Sequence, residues 1–323
     1  MEQSFLAWLR GRLRSLPSVA VGIGDDAAII DCPPGRQLVA TTDAIIDRVD
    51  FVTGEHALAD IGVKAMMINL SDIAAMGATP TAALVTLALP TQAIQDCAVT
   101  RGGATETAAA VYEGILQAAE RFGVAIAGGD LSVYDGPLSI TITLLGTAPT
   151  GAGWLRCGAV EGDHLIVTGP LGGSLLGRHL NPRPRLDLVE PLRGCADVHA
   201  AIDISDGFSL DLDRLCAASG VGAEIDTAAI PIHPDAVTRS ETSGTTPLDH
   251  ALGDGEDFEL ILALSDDDWK RFQAAYPDTE LTAVGRFIGR TGLWSRGDRG
   301  LRRMLASGFI HGGQRRTDGE GDT

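Results

Sequence analysis

Six acidic motifs, each set beside Gly, Ser or Thr, are spread over both halves of the chain: Gly24-Asp25-Asp26, Thr41-Thr42-Asp43, Asn69-Leu70-Ser71-Asp72, Gly128-Gly129-Asp130, Asp203-Ile204-Ser205-Asp206-Gly207 and Gly255-Glu256-Asp257. Such residues sit where a strand or helix turns and a side chain can point into a shared space. Singly they are ordinary, because a turn at Asp25-Asp26, a polar helix face at Ser71-Asp72 or a helix cap at Asp206-Gly207 would account for each. Together they ask for a fold that collects element ends from both halves. Converging carboxylates repel unless cations lie between them, and all-oxygen donors select Mg²⁺ or a similar hard ion. The pattern points to metal-dependent handling of phosphate.

The chain has 323 residues, enough for two compact domains, and its 45% hydrophobic content with 40 glycines suits a loop-rich α/β protein. With 25 basic against 43 acidic residues the net charge is −18, which opposes non-specific attraction to nucleic acid or to an anionic membrane. A phosphorylated ligand would therefore need metal. Cys32, Cys97, Cys157, Cys195 and Cys216 are scattered, with no CxxC or Cys/His grouping, and the expectation is a reduced, cytoplasmic protein. Phe5 to Leu9 reads as part of an amphipathic helix rather than a signal segment, since Arg10, Arg12 and Arg14 follow it. No apolar run reaches the roughly 20 residues that span a bilayer.

Periodicity predicts a short strand over 37–42 ending in polar ligands, a helix over 59–76 projecting Asp72, a strand over 81–89, and a helix over 105–122. A strand over 124–127 should end at Gly128-Gly129-Asp130, and another follows over 138–145. Pro149-Thr150-Gly151 reads as a linker. The expected organisation is a first, metal-binding domain over 1–149, a second over 150–311, and a frayed tail over 312–323. In the second half, strands are expected at 164–168, 201–204 and 258–263, with helices entered through Gly172-Gly173-Ser174 and Ser205-Asp206-Gly207. Alternating strands and helices give α/β or α+β architecture.

Competing chemistries are poorly supported. Gly22-Ile23-Gly24-Asp25-Asp26-Ala27 fits a dinucleotide fingerprint in letters only, since a strand rather than a helix is expected after it. The only lysines, Lys64 and Lys270, do not sit in a P-loop, so phosphates must be held by Arg, backbone amides and metal. The seven histidines lack zinc spacing, and Ser205 lacks a nucleophile elbow.

The motifs continue beyond the acids. Ile23 to Ala27 is followed by Thr41-Thr42-Asp43 with Asp47-Arg48-Val49-Asp50-Phe51, by Lys64-Ala65, and by the run from Asn69 to Ala78. Gly128-Gly129-Asp130, Arg156-Cys157-Gly158-Ala159, Gly162-Asp163, the run from Asp203 to Gly207, the run from Gly255 to Leu260, and Gly308-Phe309-Ile310-His311 complete the series. This ordered set, spanning nearly the whole chain, resembles the thiamine-monophosphate kinase family of the aminoimidazole-ribonucleotide-synthetase-like superfamily. The resemblance implies a two-domain PurM-like fold whose N-terminal strands form a barrel in a homodimer. It also implies transfer of the γ-phosphoryl of ATP to thiamine monophosphate, with no catalytic side chain beyond a metal cage. Asp26, Thr41, Thr42, Asp43, Asp72, Asp130, Asp203 and Asp206 would ligate several Mg²⁺ ions. Tyr112, Gly129, Asp130, Arg156 and Ser205 would contact ATP, and Glu256 and Phe309 would face the thiamine moiety.

Two departures bear on the acceptor. Asp50 stands where the family carries a substrate-contacting His, which makes Asp50 a candidate substrate residue, and Asp254 precedes Gly255-Glu256-Asp257 where the family has Gly. Both add negative charge. The alternatives are a related kinase or synthetase acting on another small phosphorylated acceptor, and a catalytically silent nucleotide-binding paralogue.

Overall fold

The computed structural model describes residues 5, 8–13, 17–21, 27–91, 104–297 and 300–309. Asp26, the expected frayed tail and Cys97 lie outside the described residues. The chain divides into two units, one of Met1–Trp154 with Leu180–Gly194 and one of Leu155–His179 with Cys195–Thr323. Sequence suggested one break near 149, whereas a stretch of the second half returns to the first unit.

In the first unit, β1 (Val19–Val21) and β2 (Ile29–Ile30) form a small ribbon. β3 (Arg36–Ile46), β4 (Thr79–Pro90), β5 (Ala125–Tyr134) and β6 (Ser139–Pro149) form a four-stranded sheet in the order β3-β6-β4-β5. β3 and β5 are longer than periodicity predicted. The ladder with β6 runs along β3 from Arg36 to Ile46, and the ladder with β4 carries β5 through Gly128-Gly129-Asp130. Both acidic motifs therefore lie inside strands, where paired backbone polar groups outweigh the local preference of Gly, Asp and Thr for turns.

α1 (Leu58–Ala75) and α2 (Ala104–Phe122) pack together in this unit. α1 is buried without interruption from Ile61 to Ser71, and Asp72 is the first residue after that stretch to reach solvent. A helix apolar on nearly all sides must be enclosed, here by α2 and by β3 and β6. The two helices touch through their backbones: a Cβ on Gly62 would lie 2.0 Å from the Val111 carbonyl oxygen, and one on Gly114 would lie 1.8 Å from that of Ala59. Phe5 meets the Tyr112 ring edge-on at 5.1 Å, which seats Phe5 on α2.

The second unit is a seven-stranded mixed sheet of β7 (His164–Val167), β8 (Val198–Asp203), β9 (Gly222–Ile225), β10 (Leu260–Leu264), β11 (Thr282–Ile288), β12 (Gly292–Gly297) and β13 (Gly300–Met304). The short α3 (Val189–Cys195) belongs almost wholly to the stretch assigned to the first unit, and in the second unit α4 (Phe208–Ser219) lays Phe208, Leu212, Leu215 and Cys216 on a core that includes Leu165, Val167, Ile202 and Ile261. Gly172-Gly173-Ser174 opens only a single 3₁₀ turn, Ser174–Leu176, because Gly177 (φ 130°) diverts the backbone. Among the described residues no helix is long and apolar enough to cross a membrane.

Candidate functional site

In the first unit the strand period of two sorts the expected ligands onto two faces. Thr41 and Asp43 turn toward the helices, where the Thr41 hydroxyl donates to Asp72 Oδ2 at 2.5 Å. Asp43 is hydrogen-bonded to Asp72 as well. Burial, then the charge of Asp72 and its hydrogen bond, then the charge of Asp50, raise the Asp43 carboxyl to about 7. The structure thus gathers Thr41, Asp43 and Asp72. Thr42 points to the other face, its hydroxyl 3.0 Å from that of Thr143, and Asp130 lies on that face too, beside Thr86.

Asp50 closes the turn after β3. Its Oδ2 accepts the Ile46 amide at 2.8 Å, and the buried Lys64 ammonium donates to its carbonyl oxygen at 2.7 Å. Gly129 (φ 151°) brings its backbone so close to β4 that a Cβ would lie 1.8 Å from the Val85 carbonyl oxygen. Tyr112 is buried at 4% exposure within the helix packing, and burial raises its hydroxyl pKa.

The second unit joins another subset. Asp203 ends β8, and the following turn is stitched to two other segments: the Glu256 amide donates to the Ser205 carbonyl at 2.7 Å, Phe258 to Ile204 at 2.9 Å, and Phe309 to Asp206 at 2.8 Å. Asp203, Ser205, Asp206, Glu256 and Phe309 are thereby neighbours in chain path. Glu256 and Phe258 both have φ of 53°, a left-handed conformation costly for side-chain-bearing residues and concentrated at functional turns. The turn is held because Asp257, which is 3% exposed, accepts the Gly172 amide at 3.0 Å and the Arg178 guanidinium at 3.0 Å. Burial still pushes the Asp257 carboxyl up to about 7.

The backbone of Arg156 is anchored away from that turn. Its carbonyl accepts the Ser219 hydroxyl at 3.0 Å, which ties it to the C-terminal end of α4, while Asp206 stands before the N-terminal end. A helix of 12 residues separates them, about 18 Å at 1.5 Å per residue. Asp254, expected to add charge near the acceptor, is instead engaged by the Gly173 amide at 2.9 Å, His250 Nδ1 at 2.9 Å and Arg239 at 3.4 Å. Its charge is met by local partners.

Sequence reasoning missed Asp211 and Arg214. Asp211 Oδ2 accepts the amides of Ser205, Asp206 and Gly207 at 3.1, 2.9 and 3.1 Å. Arg214 Nη1 lies 2.6 Å from both Asp206 Oδ2 and Asp211 Oδ1. Burial raises the Asp211 carboxyl, while the amides and Arg214 pull it down. The available signal was an acid one helical turn past Ser-Asp-Gly, where unpaired amides of a helix start need an acceptor.

Among the described residues no group of three or more His, Cys, Asp and Glu is clustered to hold a metal ion. Asp43, Asp72 and Thr41 are nevertheless all hard oxygen donors with concentrated negative charge, a set whose chemistry fits Mg²⁺ rather than zinc or copper.

The family models for the N-terminal and C-terminal domains of AIR synthase related proteins match residues 24–148 and 143–293. A thiamine-monophosphate kinase from Rhodopirellula baltica is 57% identical over 320 residues, covering 97% of this chain and 98% of the relative. A crystal structure of thiamine-monophosphate kinase from Stenotrophomonas maltophilia superposes with a TM-score of 0.76 at 32% identity, covering 90% of this chain and 95% of the other. AaThiL complexed with AMPPCP and TMP gives 0.73 at 27% identity, with 95% and 96% covered.

Proposed function

The chain belongs to the thiamine-monophosphate kinase family of AIR synthase related proteins, and on that premise we propose that its acidic motifs hold Mg²⁺ ions while ATP phosphorylates thiamine monophosphate to thiamine diphosphate. The enzyme is an ATP-dependent phosphotransferase with a phosphate group as acceptor. The Asp43–Asp72 pair carries the metal part of this reading: two hydrogen-bonded carboxylates with Thr41 beside them, one driven to about 7, form a place that a hard cation would relieve. Bound Mg²⁺ would neutralise charge on the transferring phosphoryl group. The acceptor phosphate is already anionic at neutral pH, so no side chain need act as general base, and the chain's task is to align donor and acceptor.

Asp203 and Asp206 are proposed to hold cations and Ser205 to contact ATP, with Glu256 and Phe309 toward the thiamine moiety. The strained turn at Glu256 and the exposed Phe309 ring support that assignment. Asp26, Thr42, Asp130, Tyr112, Gly129 and Arg156 stay in the proposal on family resemblance. Incubating purified protein with ATP, Mg²⁺ and a panel of phosphorylated acceptors, with products identified by mass, tests the whole. Thiamine diphosphate and ADP are expected. Product from a different acceptor only would reassign the substrate, and none from any would leave a silent paralogue.

Asp50 offers a sharper probe of the acceptor. Asn can still accept the Ile46 amide, so Asp50→Asn removes charge and keeps the turn. KM for thiamine monophosphate should rise about tenfold, on the order of 1 kcal/mol for a partly solvated contact with the thiazolium, while KM for ATP stays unchanged. Equal KM values in both proteins would reject the contact.

A homodimer is part of the same proposal. The sheet face away from α1 leaves Leu38 53% and Leu84 36% exposed, a face suited to a second copy of itself. Sedimentation should give a dimer, and a monomer at every concentration would remove the claim. The cytoplasmic setting is proposed from the scattered cysteines.

A further inference from the structure

We propose that Asp211 is a positioning residue that presets the Ser205-Asp206-Gly207 turn for cation binding through Asp206. The inference rests on the metal role of Asp206 proposed above. Gly207 is the N-cap of α4 and offers no capping side chain, yet the amides of Ser205, Asp206 and Gly207 need acceptors. Asp211, 1% exposed, turns back from inside the helix and takes all three on Oδ2. This fixes the backbone from which the Ser205 hydroxyl and Asp206 carboxylate project. Because the Glu256 and Phe309 amides bond the carbonyls of Ser205 and Asp206, the same clamp sets the register of those two segments.

The other oxygen adjusts charge. Arg214 donates to both Asp211 Oδ1 and Asp206 Oδ2, so its cation is shared between two carboxylates. Without the Asp211 charge, Arg214 would bear on Asp206 alone, holding that carboxylate and repelling an incoming cation. Asp211 thus acts twice, by orienting the turn and by drawing off the neighbouring positive charge.

The test is Mn²⁺ binding to the full-length protein without nucleotide, followed by electron paramagnetic resonance of the free ion. The variants are Asp206→Asn, Asp211→Asn and Asp211→Asn with Arg214→Gln. Asp206→Asn should remove one component of the isotherm. Asp211→Asn, which keeps an oxygen for the amides, should weaken that component about tenfold, and the added Arg214→Gln should return most of the loss. A role in stability alone would not be rescued by removing a second ion-pair partner. Unchanged Mn²⁺ binding in Asp211→Asn, alongside loss in Asp206→Asn, overturns the inference and leaves the metal role of Asp206 standing. Unchanged binding in Asp206→Asn removes both. Hydrogen exchange in the unsubstituted protein checks the clamp should Asp211→Asn fail to fold. The amides of 205, 206 and 207 should be protected, and fast exchange of all three overturns it.

Discussion

Asp72→Asn should lower turnover with ATP, Mg²⁺ and thiamine monophosphate by at least about a thousandfold, roughly 4 kcal/mol of lost transition-state stabilisation, with the fold intact. The residue reaches solvent directly after a stretch of helix buried from Ile61 to Ser71, and it meets both Thr41 and Asp43. Asp43→Asn should lose activity on the same scale, yet the metal-free variant should be more stable than the unsubstituted protein near pH 8. The folded protein holds the Asp43 proton to about pH 7, whereas an unfolded chain releases it near pH 4. Between those values the folded state binds more protons, so its stability falls as pH rises and stays reduced above pH 7. Replacing the carboxylate removes that penalty, on the order of 1 to 2 kcal/mol after solvent screening. Thermal melts in a chelator from pH 4 to 8 check the sign, and near-wild-type turnover in either variant at limiting Mg²⁺ would refute the metal pair.

Gly114→Ala should cost about 3 kcal/mol or more, because the new methyl would meet the Ala59 carbonyl at 1.8 Å and the contact is backbone on backbone. Helix α2 must then move away from α1, the element that presents Asp72, so turnover should fall along with a Tm drop of about 10 °C. Gly62→Ala, at 2.0 Å from the Val111 carbonyl, should act similarly. Gly194→Ala, with nothing within 4 Å, is the control and should be neutral. Comparable melting of Gly114→Ala and Gly194→Ala would show that the helix pair has slack.

The helices at 58–75 and 104–122 were legible within a residue or so, because long apolar patterns bounded by breakers leave few alternatives. Strand ends were not. Thr41-Thr42-Asp43 and Gly128-Gly129-Asp130 look like terminations, yet each lies within a strand because its partner strand continues. That extension has a functional consequence, since it places Thr41 and Asp43 on one face and Thr42 on the other. Asp211 was invisible for a related reason: nothing local marks an acid on a helix as the acceptor for three amides preceding that helix. Asp254 misled in the opposite sense, as its partners Gly173 and Arg239 are remote in sequence.

The sequence by itself pointed to phosphate chemistry, through acids flanked by small residues and the absence of a P-loop lysine, and the order of its motifs placed the chain in its family. These follow from residue identity and sequence order, which need no coordinates. Only the tertiary structure decided which acids meet, that Asp43 pairs with Asp72, that Asp50 closes a turn, and that the Arg156 carbonyl is tied to the end of α4 remote from Ser205. Those outcomes depend on strand pairing and helix contact between residues far apart in the chain, where burial and the nearest charge, rather than the residue type, set what a carboxylate does.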